Sequence, residues 1–371
     1  MSKTLQDYAT LINDTIQSNE INHYITTDNM RQNLGGIDTL KNINIPQGKV
    51  RSFQKDDVLL SNIRLYFRKV YKAKQKGGCS SDILVFRAKH IDSATLFAIL
   101  SSQIFTDYAC LGSQGSKMPR GNKTHMMDFK IPTINFTIAK IFNSIQNKIE
   151  NNHKINELLH KILELLYEQY FVRFDFLDEN NKPYQTSGGK MKFSKELNRL
   201  IPNDFEVKTL GELTQLKVGN KNANHSSNQG KYPFFTCSNN PLRCETYQFE
   251  GKHIIISGNG NFYVTHYDGR FDAYQRTYVV NPNNPNHYVL IYLFVKSYTN
   301  YLKLQSCGSI IKFITKSDIE NIKIVLPNLK TYTKWNNVLK MIENNNQATQ
   351  TLTALRDLLL PLLLKQQVKP Q

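Results

Sequence analysis

Basic and amide side chains concentrated in loops are the residues of this chain best suited to chemistry on a ligand. In the second half, asparagine amides and arginine guanidinium groups match the hydrogen-bonding edges of adenine and guanine in the major groove of DNA. Each residue alone is better explained as a solvated surface group, so the prediction of base contacts rests on the whole set. Its members are Lys217, Lys221, Asn239, Asn240, Arg243, Asn259, Asn261, Tyr263, Arg270 and Arg276.

The first half carries cations suited to phosphate contacts. A run of lysines and arginines is interleaved with aromatic residues, and the glycine-rich segment Gly112–Lys123 is a loop by composition. Lysine and arginine neutralise phosphates, which supplies most non-specific affinity for DNA. The predicted contacts here are Arg64, Lys69, Lys72, Lys74, Lys117, Arg120 and Lys123.

The overall charge supports a polyanionic partner. The 371 residues include 47 Lys and Arg against 30 Asp and Glu, a formal net charge of +17. Such a field favours nucleic acid or an anionic surface, while a basic surface kept for solubility is the alternative. With 40% hydrophobic residues, the chain is expected to fold as two domains of ordinary size.

Catalytic motifs are not recognised. The loop at Gly112 lacks the spacing of a phosphate-binding loop. The run Asn281–Asn284 lacks the second proline and the aromatic residue of an amino-methyltransferase motif, and the nine histidines form no metal-binding spacing. The five cysteines contain no CxxC pair, and Cys237 and Cys244 lie seven residues apart, which fits no common zinc motif. We therefore predict neither a catalytic centre, a metal site nor a cofactor bound by this chain.

An internal repeat relates the two halves at an offset of 193 residues. Lys148–Asn152 (KIENN) recurs as Met341–Asn345 (MIENN). Leucine-rich runs follow both copies, and the same offset relates Tyr108 to Tyr301 and Gly115-Ser116 to Gly308-Ser309. The sequence thus predicts two copies of one unit, a globular part followed by a long helix.

Both predicted helices carry an apolar stripe with steps of three and four residues. About 36 residues give a rod of roughly 54 Å, so the two helices are expected to pair. The predicted contact positions of the first helix are Phe142, Ile145, Ile149, Asn152, Ile155, Leu159, Ile162 and Leu166. Those of the second are Trp335, Val338, Ile342, Asn345, Ala348, Leu352, Leu355 and Leu359.

Asn152 and Asn345 lie on these stripes, next to Ile149 and Ile342. A buried polar residue fixes the register of paired helices at a cost in stability, because each amide must find a partner. The alternative is a slight rotation of both helices that leaves the asparagines in water, and the sequence leaves both open.

Five segments are expected: domain 1 (1–135), a central helix (136–177), a linker (178–204), domain 2 (205–329) and a distal helix (330–366). The first 17 residues do not read as a signal peptide, and no window has the roughly 18 apolar residues of a membrane span. The expected location is the cytoplasm of a prokaryote.

Segments at the junctions resemble specificity subunits of Type I restriction-modification systems. Glu168–Phe176 (EQYFVRFDF) and Lys182–Met191 (KPYQTSGGKM) resemble the central region of that family. Ile201-Pro202 leading to Phe205–Leu213 (FEVKTLGEL) resembles the start of its target recognition domains, with Phe205 where tryptophan is more usual. Leu355–Pro361 (LRDLLLP) resembles the end of its distal helix.

The resemblance implies an α+β protein with a pseudo-twofold internal repeat, in which two target recognition domains are held apart by two long antiparallel helices forming a coiled coil. Each domain would read one half of a bipartite asymmetric site in double-stranded DNA. Two adenine-methyltransferase subunits would dock on the helices and methylate a flipped adenine, and restriction-translocase subunits would complete the complex. S-adenosylmethionine, ATP and magnesium would belong to those partners.

Three other functions stay open on sequence grounds. The chain could serve a methyltransferase-nuclease of the Type II kind, which shares this architecture. It could be a catalytic nuclease or methyltransferase whose site is unrecognised, or a scaffold whose helices bind only protein.

Overall fold

The computed structural model describes residues 3–39, 41, 43–131, 134–178, 180–227, 229–307, 312–327 and 333–364. The chain forms two compact units. Unit 1 comprises residues 1–157 and 342–371, and unit 2 comprises residues 158–341. Each unit therefore combines one globular part with portions of both long helices, rather than leaving the helices as separate domains.

The globular part of unit 1 contains two four-stranded sheets, ordered β1-β8-β5-β6 and β2-β4-β7-β3. The strands are β1 Ala9–Ile12, β2 Thr15–Gln17, β3 Tyr24–Ile25, β4 Lys49–Phe53, β5 Val58–Ser61, β6 Val70–Lys72, β7 Gly77–Cys79 and β8 Ile83–Ala88. The helices are α1 Leu5–Tyr8, α2 Ser93–Ser101, α3 Gln103–Leu111, α4 Lys123–Met127 and the long α5 Phe136–Tyr167.

Two strands form the centre of the first sheet, and the helical region after β8 is divided in two. Strand β5, from Val58, is buried, as are the first four residues of β8, from Ile83. Ser102 separates the two helices, because its extended backbone ends α2 and its hydroxyl accepts a hydrogen bond from the Phe105 amide at the start of α3. Among the described residues no single helix is long and apolar enough to cross a membrane. The bent pair α2 and α3, taken together, has the length and composition of such a helix and no further feature of one.

The globular part of unit 2 contains a four-stranded sheet of order β12-β18-β15-β16, a three-stranded sheet of order β14-β13-β17 and two smaller pairs, β10-β9 and β11-β19. The strands are β9 Met191–Ser194, β10 Arg199–Pro202, β11 Glu206–Thr209, β12 Thr214–Val218, β13 Tyr232–Phe235, β14 Leu242–Cys244, β15 Lys252–Ser257, β16 Val264–Asp268, β17 Asp272–Ala273, β18 Thr277–Pro282 and β19 Lys323–Leu326. The helices are α6 Leu210–Leu213, α7 Tyr288–Gln305, α8 Lys316–Glu320 and α9 Thr333–Leu363, the last of which continues into unit 1.

The two units share a plan, as the repeat predicts. Sheet β1-β8-β5-β6 of unit 1 has the same strand connections as β12-β18-β15-β16 of unit 2, with antiparallel pairing throughout. In both units a short helix with a capping box precedes the first strand of this sheet, Thr4 with Asp7 before β1 and Thr209 with Glu212 before β12. Gly308 and Ser309, members of the predicted repeat, lie outside the described residues.

The long helices run antiparallel within unit 1. Gln146 contacts Arg356, Asn152 contacts Thr349 and Asn156 contacts Asn345, so residue numbers rise along α5 as they fall along α9. The pairing expected for the helices is therefore present in this unit. Coiled-coil geometry stays a prediction.

The buried stripe of the helices departs from the predicted one after its first half. Phe142, Ile149 and Asn152 are buried as predicted, as are Trp335 and Ile342. Further along, the buried positions are Asn156, Leu163 and Arg356, each one residue beyond the predicted Ile155, Ile162 and Leu355, which are exposed. A 3.5-residue repeat drifts around a helix of 3.6 residues per turn, so the buried face moves off the predicted stripe.

The segment predicted as a linker, residues 178–204, contains structure. Strands β9 and β10 pair within it as an antiparallel hairpin. Ile201 is buried there, and a neighbouring aromatic group stacks Phe176 on both Phe205 and Tyr184. Polar residues and glycines outnumber these few apolar side chains in the segment, which explains why its composition predicted a linker. The predicted domain boundaries as such stay predictions.

Candidate nucleic-acid interface

Four segments meet at one edge of unit 2: residues 236–240, 257–263, 274–277 and 312–314, which we call the unit 2 loop edge. The Gly258 amide donates to Arg276 O at 2.7 Å, and the Gly260 amide donates to Lys312 O at 2.9 Å. Ser257 Oγ reaches Thr236 O at 3.5 Å. These backbone contacts gather side chains that are far apart in sequence.

Six of the predicted DNA contacts lie on the unit 2 loop edge. Asn239, Asn240, Asn261, Tyr263 and Arg276 are exposed, and Asn259 is half-buried. Asn261 Nδ2 donates to the Tyr263 hydroxyl at 3.1 Å, and the Arg276 guanidinium lies over the Phe313 ring. The edge therefore presents amide, phenol and guanidinium groups to solvent, the groups that read base edges.

The loop between β15 and β16 is strained. Phe262 has a φ of 52°, a left-handed conformation that a bulky residue seldom adopts. Asn259 Oδ1 is buried and, within the described part of the chain, has no hydrogen-bond partner. Strained loops and unsatisfied acceptors concentrate at ligand sites, so this loop is the strongest local candidate for base contact.

The other four predicted contacts of unit 2 lie outside this edge. Lys217 is exposed on β12, and Lys221 pairs with Tyr274 through a backbone bridge. Arg243 Nε donates to Gly230 O at 2.9 Å, and Arg270 forms an ion pair of 2.9 Å with Glu250. Their roles in DNA binding stay predictions.

The unit 1 loop edge is formed by residues 61–68 and 112–123. The Arg64 amide donates to Pro119 O at 2.9 Å, and Arg64 Nη2 donates to Lys117 O at 3.3 Å. Arg120 pairs with Asp82 at 2.7 Å, while Lys123 is exposed. These two segments thus carry five cations, Arg64, Arg68, Lys117, Arg120 and Lys123, and one of them is paired with the neighbouring Asp82.

The two loop edges correspond in position. The loop from β5 to β6 in unit 1 occupies the place that the β15–β16 loop has in unit 2, because the flanking sheets match. Arg64 and Arg68 have φ angles of 50° and 49°, so this loop is also strained. Asn62 Oδ1 is buried without a partner among the described residues, as is Asn259 Oδ1 in unit 2.

Three predicted phosphate contacts of unit 1 have partners within the protein. Lys74 pairs with Glu150 of α5 at 2.6 Å, and Lys72 lies 3.8 Å from Asp56. Lys69 donates to Thr27 O, and burial lowers its pKa. These contacts count against a phosphate role for the three lysines, whose predicted role is otherwise untested.

Sequence reasoning missed two features. Lys312 is exposed on the unit 2 loop edge, but its distance along the chain from the other members gave no signal.

The second feature is an exposed apolar stripe on each long helix. Ile162 and Leu165 are 45% and 51% exposed on α5 in unit 2, and Leu355 and Leu358 are 45% and 67% exposed on α9 in unit 1.

These stripes obey the repeat, because the offset of 193 residues relates Ile162 to Leu355 and Leu165 to Leu358. Exposed apolar side chains at helical spacing mark a surface suited to a partner. Each unit therefore offers the same pair of positions, so two copies of one partner would find equivalent sites.

Part of the chain matches the model of a known protein family. Residues 202–355 match the Type I restriction modification DNA specificity domain. The resemblance inferred from the junction sequences is thereby confirmed.

Two relatives bear the same description. The specificity subunit of the Type I restriction enzyme EcoDI from Escherichia coli is 36% identical over 132 residues, which make up 34% of this chain and 28% of the relative. That of the enzyme MjaIX from Methanocaldococcus jannaschii is 24% identical over 303 residues, 73% of this chain and 68% of the relative. The match to the first thus spans little more than a quarter of that relative's length.

A solved structure shares the fold. The S subunit of a Type I restriction-modification system from M. genitalium aligns with a TM-score of 0.62 and 16% identity, covering 99% of this chain and 96% of that chain. The expected fold class, two units of mixed helices and strands with long helices, is therefore confirmed.

Proposed function

We propose that this chain is the DNA-specificity subunit of a Type I restriction-modification complex. The single observation that carries the proposal is the duplicated unit, whose second copy matches a DNA specificity family. The two copies keep the same strand order but present different side chains at their loop edges. That difference suits two readers of two unlike half-sites.

Each loop edge would read one half-site. In unit 2, Asn261, Tyr263 and Arg276 would contact bases, while in unit 1, Arg64, Lys117 and Lys123 would contribute mainly phosphate contacts. The long helices would act as a ruler for the unread spacer. α5 alone, at 32 residues, is about 48 Å long, comparable to more than one turn of B-DNA at roughly 34–36 Å.

The exposed helix stripes support a partnership with two methyltransferase subunits. Ile162 with Leu165 and Leu355 with Leu358 give two equivalent docking surfaces. The partners would carry the catalytic chemistry together with S-adenosylmethionine, ATP and magnesium, and this chain would be non-catalytic. Restriction subunits would join the same complex in the cytoplasm of a prokaryote. A Type II methyltransferase-nuclease is not favoured, since both named relatives are Type I subunits.

Sequencing of adenine methylation tests the proposal. A host lacking other adenine methyltransferases would express this chain with its methyltransferase, or the methyltransferase alone. We expect methylation at a bipartite asymmetric motif only when both are present. Methylation by the methyltransferase alone at the same motif, or by this chain alone, would overturn the assignment.

A further inference from the structure

Three side chains with metal-binding atoms converge in unit 2. His225, Cys244 and Asp272 each present one ligand atom, and these atoms all lie within 4.8 Å of one another. His225 Nε2 and Asp272 Oδ2 are 3.2 Å apart. The residues are separated by 19 and 28 positions in sequence, which is no recognised metal motif, so spacing alone could not reveal them.

One oxygen of the buried Asp272 carboxylate has no partner. The side chain is 0% exposed, and within the described residues its ion pairing is limited to His225 through Oδ2. The Thr246 hydroxyl also donates to Oδ2, but Oδ1 is buried with no hydrogen-bond partner in the described part of the chain. A buried polar atom is costly to leave without a hydrogen bond or a metal ion. The unpartnered oxygen is therefore an independent sign of a missing ligand.

We infer that His225, Cys244 and Asp272 bind a zinc ion. Imidazole nitrogen, thiolate sulfur and carboxylate oxygen are the donors that zinc takes in proteins. Zinc bond lengths of about 2.0–2.3 Å place tetrahedral ligands roughly 3.3–3.6 Å apart. The imidazole and the carboxylate already lie near that separation, so a side-chain adjustment of the order of 1 Å at the sulfur suffices. A water molecule would supply the fourth donor.

The ion would connect strands β14 and β17 of the small sheet with the turn that precedes β13. His225 ends the turn Ala223–His225 ahead of β13, Cys244 ends β14 and Asp272 begins β17. Two predicted DNA contacts lie near these ligands in sequence, Arg243 directly before Cys244 and Lys221 four residues before His225. The zinc site goes beyond the proposed function and does not depend on it, because a bound zinc ion would stabilise this sheet whatever the unit binds.

Unit 1 offers a natural contrast. The parallel strand pair of unit 1 places Gly78 opposite Tyr24, where the pair in unit 2 places Asp272 opposite Phe234. Glycine supplies no ligand, so one zinc ion per chain is expected rather than two.

Metal analysis of the purified full-length chain, prepared in zinc-containing medium and dialysed against metal-free buffer, tests the inference. We expect one equivalent of zinc by mass spectrometry of the metal. Replacement by cobalt should produce a thiolate-to-cobalt charge-transfer band in the near ultraviolet. Less than a tenth of an equivalent of zinc together with no such band on cobalt titration would overturn the site.

Matched cysteine variants localise the ion. Cys244→Ser should lose the zinc and the cobalt band, whereas Cys237→Ser, in the same unit but outside the cluster, should keep both. His225→Asn, whose parent side chain is 25% exposed, is the milder second variant and should also lose the zinc. Zinc retained in full by folded His225→Asn and Cys244→Ser proteins would assign the metal elsewhere and refute the inference.

Discussion

Asn345 Nδ2 donates a hydrogen bond of 3.0 Å to Asn156 Oδ1 across the paired helices of unit 1. Asn152, which matches Asn345 in the repeat, donates in the same way to Thr349 at 3.1 Å. The same offset relates Asn156 to Thr349. The two hydrogen bonds are therefore related by exchange of the two helices, as in a twofold interface. Asn152 and Asn345 thus both find partners, although not each other, which supports the register hypothesis over the solvated one.

Truncation of Asn156 tests this polar network. Asn156 Nδ2 also donates to Asn346 Oδ1 at 2.8 Å and to Ile342 O at 3.3 Å, so Asn156→Ala leaves several groups unpaired. We expect a loss of stability of about 1–3 kcal/mol, measured as a lower urea midpoint. Asn151→Ala, on the exposed face of the same helix, is the matched control and should change little. Equal effects of the two variants would contradict a role in pairing.

Arg356 occupies a position that is apolar in the other copy. It is 2% exposed and donates to Gln146 Oε1 at 3.3 Å and to Asn33 O at 3.2 Å. The offset of 193 relates Gln146 to Leu339 and Arg356 to Leu163, both fully buried in unit 2.

A double-mutant cycle at these positions follows from the comparison. Arg356→Leu alone removes the donor to Gln146 Oε1 and to Asn33 O, and should cost about 1–3 kcal/mol of unfolding free energy. Adding Gln146→Leu places leucine at both positions, as in unit 2. The double variant should therefore lose less unfolding free energy than the two single variants lose together, with a coupling energy of about 0.5–3 kcal/mol. Strict additivity in chemical denaturation would show that the two side chains act independently.

His160 makes stability depend on pH. Burial, reinforced by Lys296 and His266 and opposed by Glu164, lowers the pKa of His160 from 6.5 to about 4. The unfolded chain therefore binds a proton between pH 6.5 and 4 that the folded chain does not. Stability from this group is complete above pH 6.5 and is lost as the pH falls, by an amount on the order of 2 kcal/mol.

Unfolding midpoints across that pH range provide the measurement. His160→Gln should reduce the slope of the unfolding free energy against pH between pH 6.5 and 4. A residual slope is expected, since burial also lowers the pKa of His23, His153, His253 and His287. An unchanged slope in His160→Gln would show that His160 does not contribute.

Asn261 tests the role of the unit 2 loop edge. Asn261→Ala should relax discrimination at one position of a single half-site, with a change of about 1–3 kcal/mol, as expected for one base contact. Asn283→Ala, an exposed asparagine beyond the opposite end of β18, is the matched control. Methylation maps of both variants provide the readout. Uniform weakening across all sequences would reassign Asn261 to phosphate contact, and Arg243 can be tested in the same way.

The apolar helix stripe predicts a change in stoichiometry. Ile162→Glu should remove one of two bound methyltransferase subunits, because Leu355 and Leu358 of the other stripe stay intact. Native mass spectrometry of the complex measures the outcome. Lys161→Glu introduces the same carboxylate at the adjacent exposed position and should leave both subunits bound. Retention of two subunits by Ile162→Glu would exclude this stripe as a docking surface.

Periodicity and repetition were readable in the sequence because they depend on local spacing. The duplicated sheet and the pairing of the two long helices in unit 1 follow the prediction made from the repeat and from the apolar spacing. Glycine and amide-rich loops were located by composition, but not the way in which they assemble. Lys72 and Lys74 belong to the predicted basic run, yet they form ion pairs with Asp56 and Glu150, and no local pattern indicates those pairs.

The sequence by itself therefore determined two copies of one unit, the paired helices and the basic, asparagine-rich loops, since composition and spacing are properties of the chain alone. Tertiary structure decided which face of each long helix is buried, because neighbouring faces both satisfy helical spacing and only packing selects between them. It also decided which loop side chains share an edge, and that His225, Cys244 and Asp272 meet. Contacts between residues far apart in the chain depend on how the sheets fold back, and that information is not contained in any local pattern.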